Sequence, residues 1–496
     1  AIDRIYPMGV PSFLSLLSKD DWIYAGILGG GFLLSVLLRF LAKGQSLYSV
    51  IKYSPGFIGF GVAVLLLRWK IIYSIPIALF TSIAIKHGKA GDNHQMPLLV
   101  FVVVFVYLLL TRHLHEFLDV PELASQANAV QLIITLRAIG LAFDVGDSRF
   151  DRMNPGQSRR KRCLEEDPSY LMMFNYMYHY CGLFTGPYYS YQMFIDSCDY
   201  QAAAFHQNYL ENGLVREYTW RLKQLAWSLP VFIITNKLFP LDGLRSDDVY
   251  SWSLFYKFLY AAMVFVVFRM RVYAAWSVSE CICVTLNIGI YPDSSAPKCV
   301  IGPTDVEGFK RGWTDGTTSA NSIAIQNIEM SEVEASEGFR AGIRGWNKSV
   351  QTWLALYVHS RAPKATRMVL TMFISALWHG TYAGYFMSFL VVPMCTAAED
   401  VLFRIFPKGE NGQRSQTFLR IYWLTLRSRG FDFMATGFLL KNWKDTHRFW
   451  SSFYYWLPIT MIALFFLLTA IESMVRPRTK KPQSETSGDV KEVKAE

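Results

Sequence analysis

Long apolar runs recur from one end of this chain to the other, and they leave few folds open to it. A helix needs about 20 apolar residues to cross the hydrocarbon core of a bilayer. Runs near that length occupy residues 22–41, 220–238, 252–268, 272–290, 381–396, 418–440 and 449–471, with shorter ones at 96–110, 129–143 and 369–377. The stretch 54–85 is interrupted by Arg68 and Lys70 and reads as two short helices. Roughly ten to twelve membrane segments are expected, some broken or tilted. The expected fold is all-α, a polytopic bundle of transmembrane helices.

The charge supports this class. Only 18% of the 496 residues are charged, against about a quarter in soluble domains, and 52% are hydrophobic. Mean hydropathy is +0.20. The net charge of +10 does not gather on one polar domain, which argues against nucleic acid. It sits in short basic runs, Arg159-Arg160-Lys161-Arg162 and Arg476, Arg478, Lys480 and Lys481. Such runs beside membrane segments are expected to face the cytosol. Aromatic residues make up 16% of the chain. They suit membrane–water interfaces and lipid tunnels, and ordinary bundle packing explains most of them. The seven cysteines form no CxxC pair, so free thiols are expected, with neither a zinc ribbon nor a redox motif. No cleavable signal peptide is evident.

Residues 1–474 read as one integral-membrane domain. Residues 475–496 read as a charged, aromatic-free, disordered cytosolic tail. Two polar connections, 144–169 and 292–345, are long enough to be functional loops or to hold surface helices. Gly26 and Gly30, four apart, have the spacing that lets helices approach closely in lipid. No internal repeat supports an inverted-repeat transporter.

Polar groups within membrane segments are costly and are the first candidates for function. His379 lies in Ser375-Ala-Leu-Trp-His-Gly-Thr-Tyr-Ala-Gly-Tyr385, between two apolar runs. Its neutral imidazole can take a proton near pH 7, as a general base must. Gly380 beside it lets a substrate or backbone come close. The plainer alternative is a histidine bonded to a neighbouring helix. Asn347 lies in Arg344-Gly-Trp-Asn-Lys-Ser-Val-Gln-Thr-Trp-Leu354. Apolar residues at Val350, Trp353, Leu354, Tyr357 and Val358 give that segment one helical apolar face. A carboxamide there can donate to a carbonyl oxygen or orient an imidazole. Two plainer roles compete: a helix cap, or glycosylation, since Asn347-Lys348-Ser349 is the chain's one sequon.

Trp346-Asn347, followed 32 residues later by Trp378-His379 and Gly380, resembles the membrane-bound O-acyltransferase family. So does Gly182-Leu-Phe-Thr-Gly-Pro-Tyr-Tyr-Ser-Tyr191. The resemblance runs from about residue 22 to about 471, nearly the whole chain. Phe268-Arg-Met-Arg-Val-Tyr-Ala-Ala-Trp276 and residues 427–450 are most similar to the lysophosphatidylinositol acyltransferase branch. Ala383 departs from the Pro that phospholipid-specific members often carry there. The resemblance implies broken or re-entrant helices around an internal reaction chamber, with His379 and Asn347 catalytic. It further implies Trp346, Trp378, Gly380, Tyr385, Pro187 and Tyr188 as substrate-binding. It implies acyl-CoA as co-substrate, a lysophospholipid as acceptor, an endoplasmic reticulum location, and neither cofactor nor metal. Sterol, diacylglycerol, protein or another lysophospholipid as acceptor, and a transporter, are the alternatives.

Other polar clusters point less clearly. His113-Leu114-His115-Glu116 looks like a metal cluster, but residues two apart on a helix diverge by about 200°. Arg269, Arg271 and Glu280 are expected to form an internal ion pair, with a lipid headgroup as the alternative partner. There is no Gly-x-Ser-x-Gly elbow and no phosphate-binding Gly-Lys-Ser/Thr loop.

Overall fold

A computed structural model describes residues 17–41, 45–88, 95–155, 162–198, 213–315, 319–409 and 414–475. Arg159–Lys161 and the tail beyond Val475 lie outside the described residues. The principal elements are α1 (Lys19–Leu41), α2 (Gln45–Leu67), α3 (Ile75–His87), α4 (Gln95–Phe117), α5 (Ser125–Met153), α6 (Tyr170–Tyr178), α7 (Tyr191–Ser197), α8 (Leu214–Leu238) and α9 (Leu254–Thr285). A two-stranded antiparallel ribbon of β1 (Tyr291–Pro292) and β2 (Ala320–Asn321) flanks α10 (Val306–Asp315), with Tyr291 opposite Asn321. Then come α11 (Phe339–Gly345), α12 (Lys348–Leu354), α13 (Arg367–His379), α14 (Ala383–Ile405), α15 (Ser428–Leu440), α16 (Trp443–Ser451) and α17 (Trp456–Val475).

Among the described residues, seven helices are long and apolar enough to cross a membrane. The protein is a multi-pass, all-α membrane protein, with fewer full spans than the apolar runs suggested. The helices α13 and the regular part of α15 have 13 residues each, too few to span alone at 1.5 Å per residue. The helix α8 carries Glu217 and Arg221 buried inside it. The runs 252–268 and 272–290 share one 32-residue helix, Leu254–Thr285, rather than forming two segments. Arg269 and Arg271 do not break it, because Glu334 and Asp21 pair with them from elsewhere in the chain.

Other boundaries follow local chemistry. The expected break in 54–85 falls at a 3-10 turn, Arg68–Tyr73, where Arg68 adopts φ 53°. The apolar run 449–471 is divided between α16 and α17, with Tyr454 and Tyr455 at positive φ between them. The 144–169 connection begins later than expected, because α5 continues through Asp144, Asp147 and Asp151. These carboxylates are buried and partnered: Tyr357 Oη donates to Asp144 at 2.6 Å, Arg361 pairs with Asp147 at 2.6 Å, and Cys163 Sγ donates to Asp151 at 3.0 Å. From the last turns of α5, Arg149 and Arg152 hold Asp167 at 2.6 Å each. Arg162, the described member of the first basic run, is paired to Asp196 by two 2.8 Å hydrogen bonds.

The helix α5 is the axis of the larger core, buried along most of its length between α3, α4 and the segment after α6. Its Arg137 has no solvent exposure. The guanidinium donates to the carbonyls of Tyr176, Met177, His179 and Cys181 at 3.1, 3.1, 2.8 and 2.5 Å. It thereby satisfies the Tyr176 and Met177 carbonyls that the end of α6 leaves unpaired, and two more in the loop beyond. An arginine at the centre of a membrane helix costs about 2.5–3.5 kcal/mol, and hydrogen bonds to a charged group contribute about 1.5–3 kcal/mol each. The arginine is therefore stabilised where it lies, and it fixes the 179–189 loop against α5. A second core joins α14, α15, α16 and α17. The helices α1 and α17 bury little of themselves, and their apolar faces are exposed as lipid-facing helices require. A Cβ at Gly26 or Gly30 would meet nothing within 4 Å, so those glycines make no close helix contact within the chain.

Candidate active site

The helix α13 is apolar and ends at His379 because of Gly380. That residue adopts φ 157°, ψ 179°, and a Cβ there would come within 2.9 Å of the Tyr385 ring. Ending a helix inside a membrane leaves carbonyls unpaired. Arg112 of α4 meets two of them, donating to Leu377 O at 3.2 Å and Trp378 O at 2.8 Å. Trp378 Nε1 donates to Leu132 O at 3.2 Å, which pins the end of α13 to α5. Aromatic rings enclose the His379 imidazole: Trp378 at 4.6 Å and Phe438 at 5.0 Å edge-on, Phe389 stacked at 5.2 Å, and Tyr385 at 5.9 Å.

Asn347 stands at the start of α12 in the left-handed conformation, φ 47°, ψ 52°. Its carboxamide forms no cap hydrogen bond, so capping does not account for it. The backbone around it is clamped instead. Asn327 O accepts from Lys348 N at 2.8 Å, and Asn327 Oδ1 accepts from Ser349 N at 3.1 Å. Asn327 N donates in turn to Glu280 at 2.8 Å. Arg221, also fully buried, pairs with Glu280 at 2.9 Å and with Glu217 at 3.2 Å. From the other side, Ser349 Oγ accepts from Tyr188 N at 3.1 Å. The expected apolar face of this helix is present: Val350, Trp353, Leu354, Tyr357 and Val358 are all buried.

His379, Asn347 and Trp346 line one cavity of about 340 Å³. Its walls come from α9, α11, α12, α13, α14 and α15, with Phe268, Trp276, Phe389 and Phe438 among the apolar lining. Neither the imidazole nor the carboxamide is hydrogen-bonded to any described residue, so both are available to a bound molecule. A largely apolar chamber with an uncommitted base and an uncommitted amide donor suits transfer of a group that water would otherwise intercept.

The other residues singled out from the sequence stand around this chamber, not on its wall. Trp378 and Tyr385 pack on the His379 ring, and Gly380 ends its helix. Pro187 and Tyr188 are buried behind Asn347, with Tyr188 bonded to Ser349. Arg112, Glu280, Asn327 and Arg221 were not assigned to the site from sequence. Their partners lie up to 266 residues away, and only the placement of Arg221 and Glu280 in apolar runs could have flagged them. Glu280 pairs with Arg221, so the expected pairing within Arg269, Arg271 and Glu280 is replaced by three separate ion pairs. His113 is engaged by Glu116 and Thr381, and His115 by the Arg112 carbonyl, so the two rings serve different partners.

Comparison with known proteins gives consistent matches. The membrane-bound O-acyltransferase family, MBOAT, matches residues 90–427. The membrane-bound acylglycerophosphatidylinositol O-acyltransferase mboa-7 of Caenorhabditis elegans is 47% identical over 461 residues, covering 92% of this chain and 96% of its own length. The Caenorhabditis briggsae protein of the same name is 46% identical over 453 residues, covering 91% and 96%. The Homo sapiens protein MBOAT7 is 30% identical over 499 residues, covering 95% and 98%.

Proposed function

Since the chain belongs to the membrane-bound O-acyltransferase family and is an O-acyltransferase, we propose that it transfers a polyunsaturated acyl chain from acyl-CoA to the free glycerol hydroxyl of lysophosphatidylinositol in the endoplasmic reticulum membrane. The relatives' names supply the acceptor class, acylglycerophosphatidylinositol. The observation that carries the mechanism is the pair of uncommitted side chains, His379 and Asn347, on one apolar chamber.

His379 takes the proton from the glycerol hydroxyl as its oxygen attacks the thioester carbonyl carbon. Asn347 donates to the carbonyl oxygen as negative charge develops there. The carbon–sulfur bond then breaks, and the proton held on the imidazole passes to the departing thiolate to give CoA thiol. The free imidazole is restored. The route needs no metal, no cofactor and no covalent acyl-enzyme. Its rate rests on alignment of the two lipids and exclusion of water.

The test is an acceptor panel with purified enzyme and labelled arachidonoyl-CoA. Labelled phosphatidylinositol as the dominant product is the expected result. Dominant labelling of another lysophospholipid, diacylglycerol, a sterol or a protein overturns the acceptor. No consumption of acyl-CoA with any acceptor overturns the donor.

A further inference from the structure

Part of the chamber wall carries charge. Arg269, Glu334, Arg427, Ser428, Arg429 and Asp432 all line it. Arg269 lies 3.2 Å from Glu334, and Arg429 lies 2.8 Å from Asp432. Arg427 is spent on backbone, donating to the carbonyls of Glu332, Val333 and Glu334 and to Ser336 Oγ. Arg269 Nε and Asp432 Oδ2 are the atoms that make the two ion pairs, yet three buried atoms of this wall have no partner among the described residues: Arg427 Nε, Ser428 Oγ and Arg429 Nε. Ser428 and Asp432 are 8% and 3% exposed. Burying polar atoms unpaired is costly, and their gathering on one cavity wall points to a missing ligand.

We propose that Ser428, Arg429 and Asp432 form the headgroup subsite of the acceptor, selecting a polyol joined through a phosphodiester. The proposal rests on the lysophosphatidylinositol reading above. Ser428 and Asp432 are four apart on α15 and share a face. The Asp432 carboxylate accepts hydrogen bonds from ring hydroxyls, and the Arg429 guanidinium pairs with the phosphodiester.

Charge separates this headgroup from its competitors. Three guanidinium groups face two carboxylates, which leaves one positive charge unbalanced. An inositol phosphodiester carries a single negative charge and no cation, so it neutralises the wall. A choline or ethanolamine headgroup brings an ammonium into a wall already net positive. The multiply charged phosphates of CoA would meet Asp432 and Glu334, so the acyl donor does not fit here. Position agrees as well. Phe438, whose ring touches His379, lies six residues after Asp432 on the same helix. The axial separation is roughly 9 Å at 1.5 Å per residue, a span that a glycerol phosphate and its ring can bridge.

The test compares wild type, Arg429→Gln, Asp432→Asn and the double variant on lysophosphatidylinositol and lysophosphatidylcholine, with melting temperature measured on each preparation. The expected result is a fall of about tenfold to hundredfold in kcat/KM for lysophosphatidylinositol. The KM for acyl-CoA stays unchanged, and lysophosphatidylcholine turnover falls less than lysophosphatidylinositol turnover in each variant, with Arg429→Gln lowering it most because both lipids carry the phosphodiester. A second arm needs no variant: water-soluble glycerophosphoinositol should compete with the acceptor on wild type, and glycerophosphocholine should not. If wild type prefers lysophosphatidylinositol but the variants weaken both acceptors equally or raise the KM for acyl-CoA, the subsite is wrong and the acceptor reading stands. Failure of glycerophosphoinositol to compete, if the variants do not fold, overturns the subsite equally. A wild type without preference for lysophosphatidylinositol overturns the acceptor reading and the subsite with it.

Discussion

The backbone N–H of Tyr188 donates to the hydroxyl of Ser349 at 3.1 Å, tying the Gly-Pro-Tyr loop to the helix that begins at Asn347. Tyr188 therefore acts behind the site, and the sequon is not an accessible surface. Ser349 is 1% exposed. Ser349→Ala leaves the Tyr188 N–H unpaired and should cost about 1–3 kcal/mol of stability. Denaturation of purified protein checks this. Treatment with a glycosidase should leave the wild-type mobility unchanged, and a shift there would restore the sugar reading of Asn347.

Asn347 itself needs a careful substitution. Its φ of 47° suits Asn and Gly, whereas Ala there adds roughly 1–2 kcal/mol of strain. Asn347→Gly removes the carboxamide without that strain. Both variants should lose turnover by an amount equivalent to about 2.7–4 kcal/mol if the amide stabilises developing charge. Only Asn347→Ala should also lose melting temperature. Near-normal kcat in Asn347→Gly would end the catalytic role.

His379→Ala should nearly abolish transfer while acyl-CoA still binds. General-base catalysis contributes about 10²–10⁴-fold, and His379→Gln should lose it almost as fully because a carboxamide takes no proton near pH 7. If the ring is merely structural, Gln rescues activity and Ala lowers stability along with turnover. Binding, turnover and melting measured on the same preparations separate the two. A well-folded, active His379→Gln enzyme would remove the base from the mechanism.

Asn327 touches no chamber-lining atom of Asn347, yet it holds the two residues that follow. Asn327→Ala removes the acceptor for Ser349 N–H and keeps the backbone bonds to Lys348 and Glu280. A displacement of about 1 Å in a catalytic group can cost about 10²-fold. The expected outcome is a kcat fall of roughly tenfold to hundredfold with little change in the KM for acyl-CoA. Lower melting temperature with unchanged kcat per folded enzyme would make Asn327 scaffold alone.

Asp167 gives the chain a pH signature outside the membrane. Burial pushes its pKa up, but hydrogen bonds from Arg149 and Arg152 outweigh that and hold the carboxyl below its ordinary value. A depressed carboxyl contributes stability above its unfolded value, lost as pH falls through the lower folded one. Asp167→Asn should therefore melt below wild type at neutral pH. The gap should close only below about pH 4. A gap that closes between pH 7 and 5 would assign the effect to another group.

Much of the site was legible because its signals are local. A histidine between apolar runs, a glycine after it, and an asparagine opening an amphipathic helix are all read within a dozen residues. The break near Arg68 was legible for the same reason. What escaped was pairing at a distance. Arg269 and Arg271 look like the end of a span, and only Glu334 and Asp21 make them tolerable in one helix. Asp144 and Asp147 look like a polar loop, yet Tyr357 and Arg361, more than 200 residues on, bury them. The clamp on Asn347 was hidden likewise, since Glu280 and Asn327 mean nothing until α9 and the 322–329 segment meet.

The Arg137 cradle has a consequence for how the chain is made. The ribosome delivers Arg137 to the membrane before residues 176–181 have emerged, since the arginine lies 39 to 44 residues ahead of the carbonyls that receive it. Until they arrive it must be sheltered by the translocon, a chaperone or a water defect. A nascent chain halted just after α5 should therefore remain crosslinkable to the insertion machinery through α5, and release should come once the segment through Cys181 has emerged.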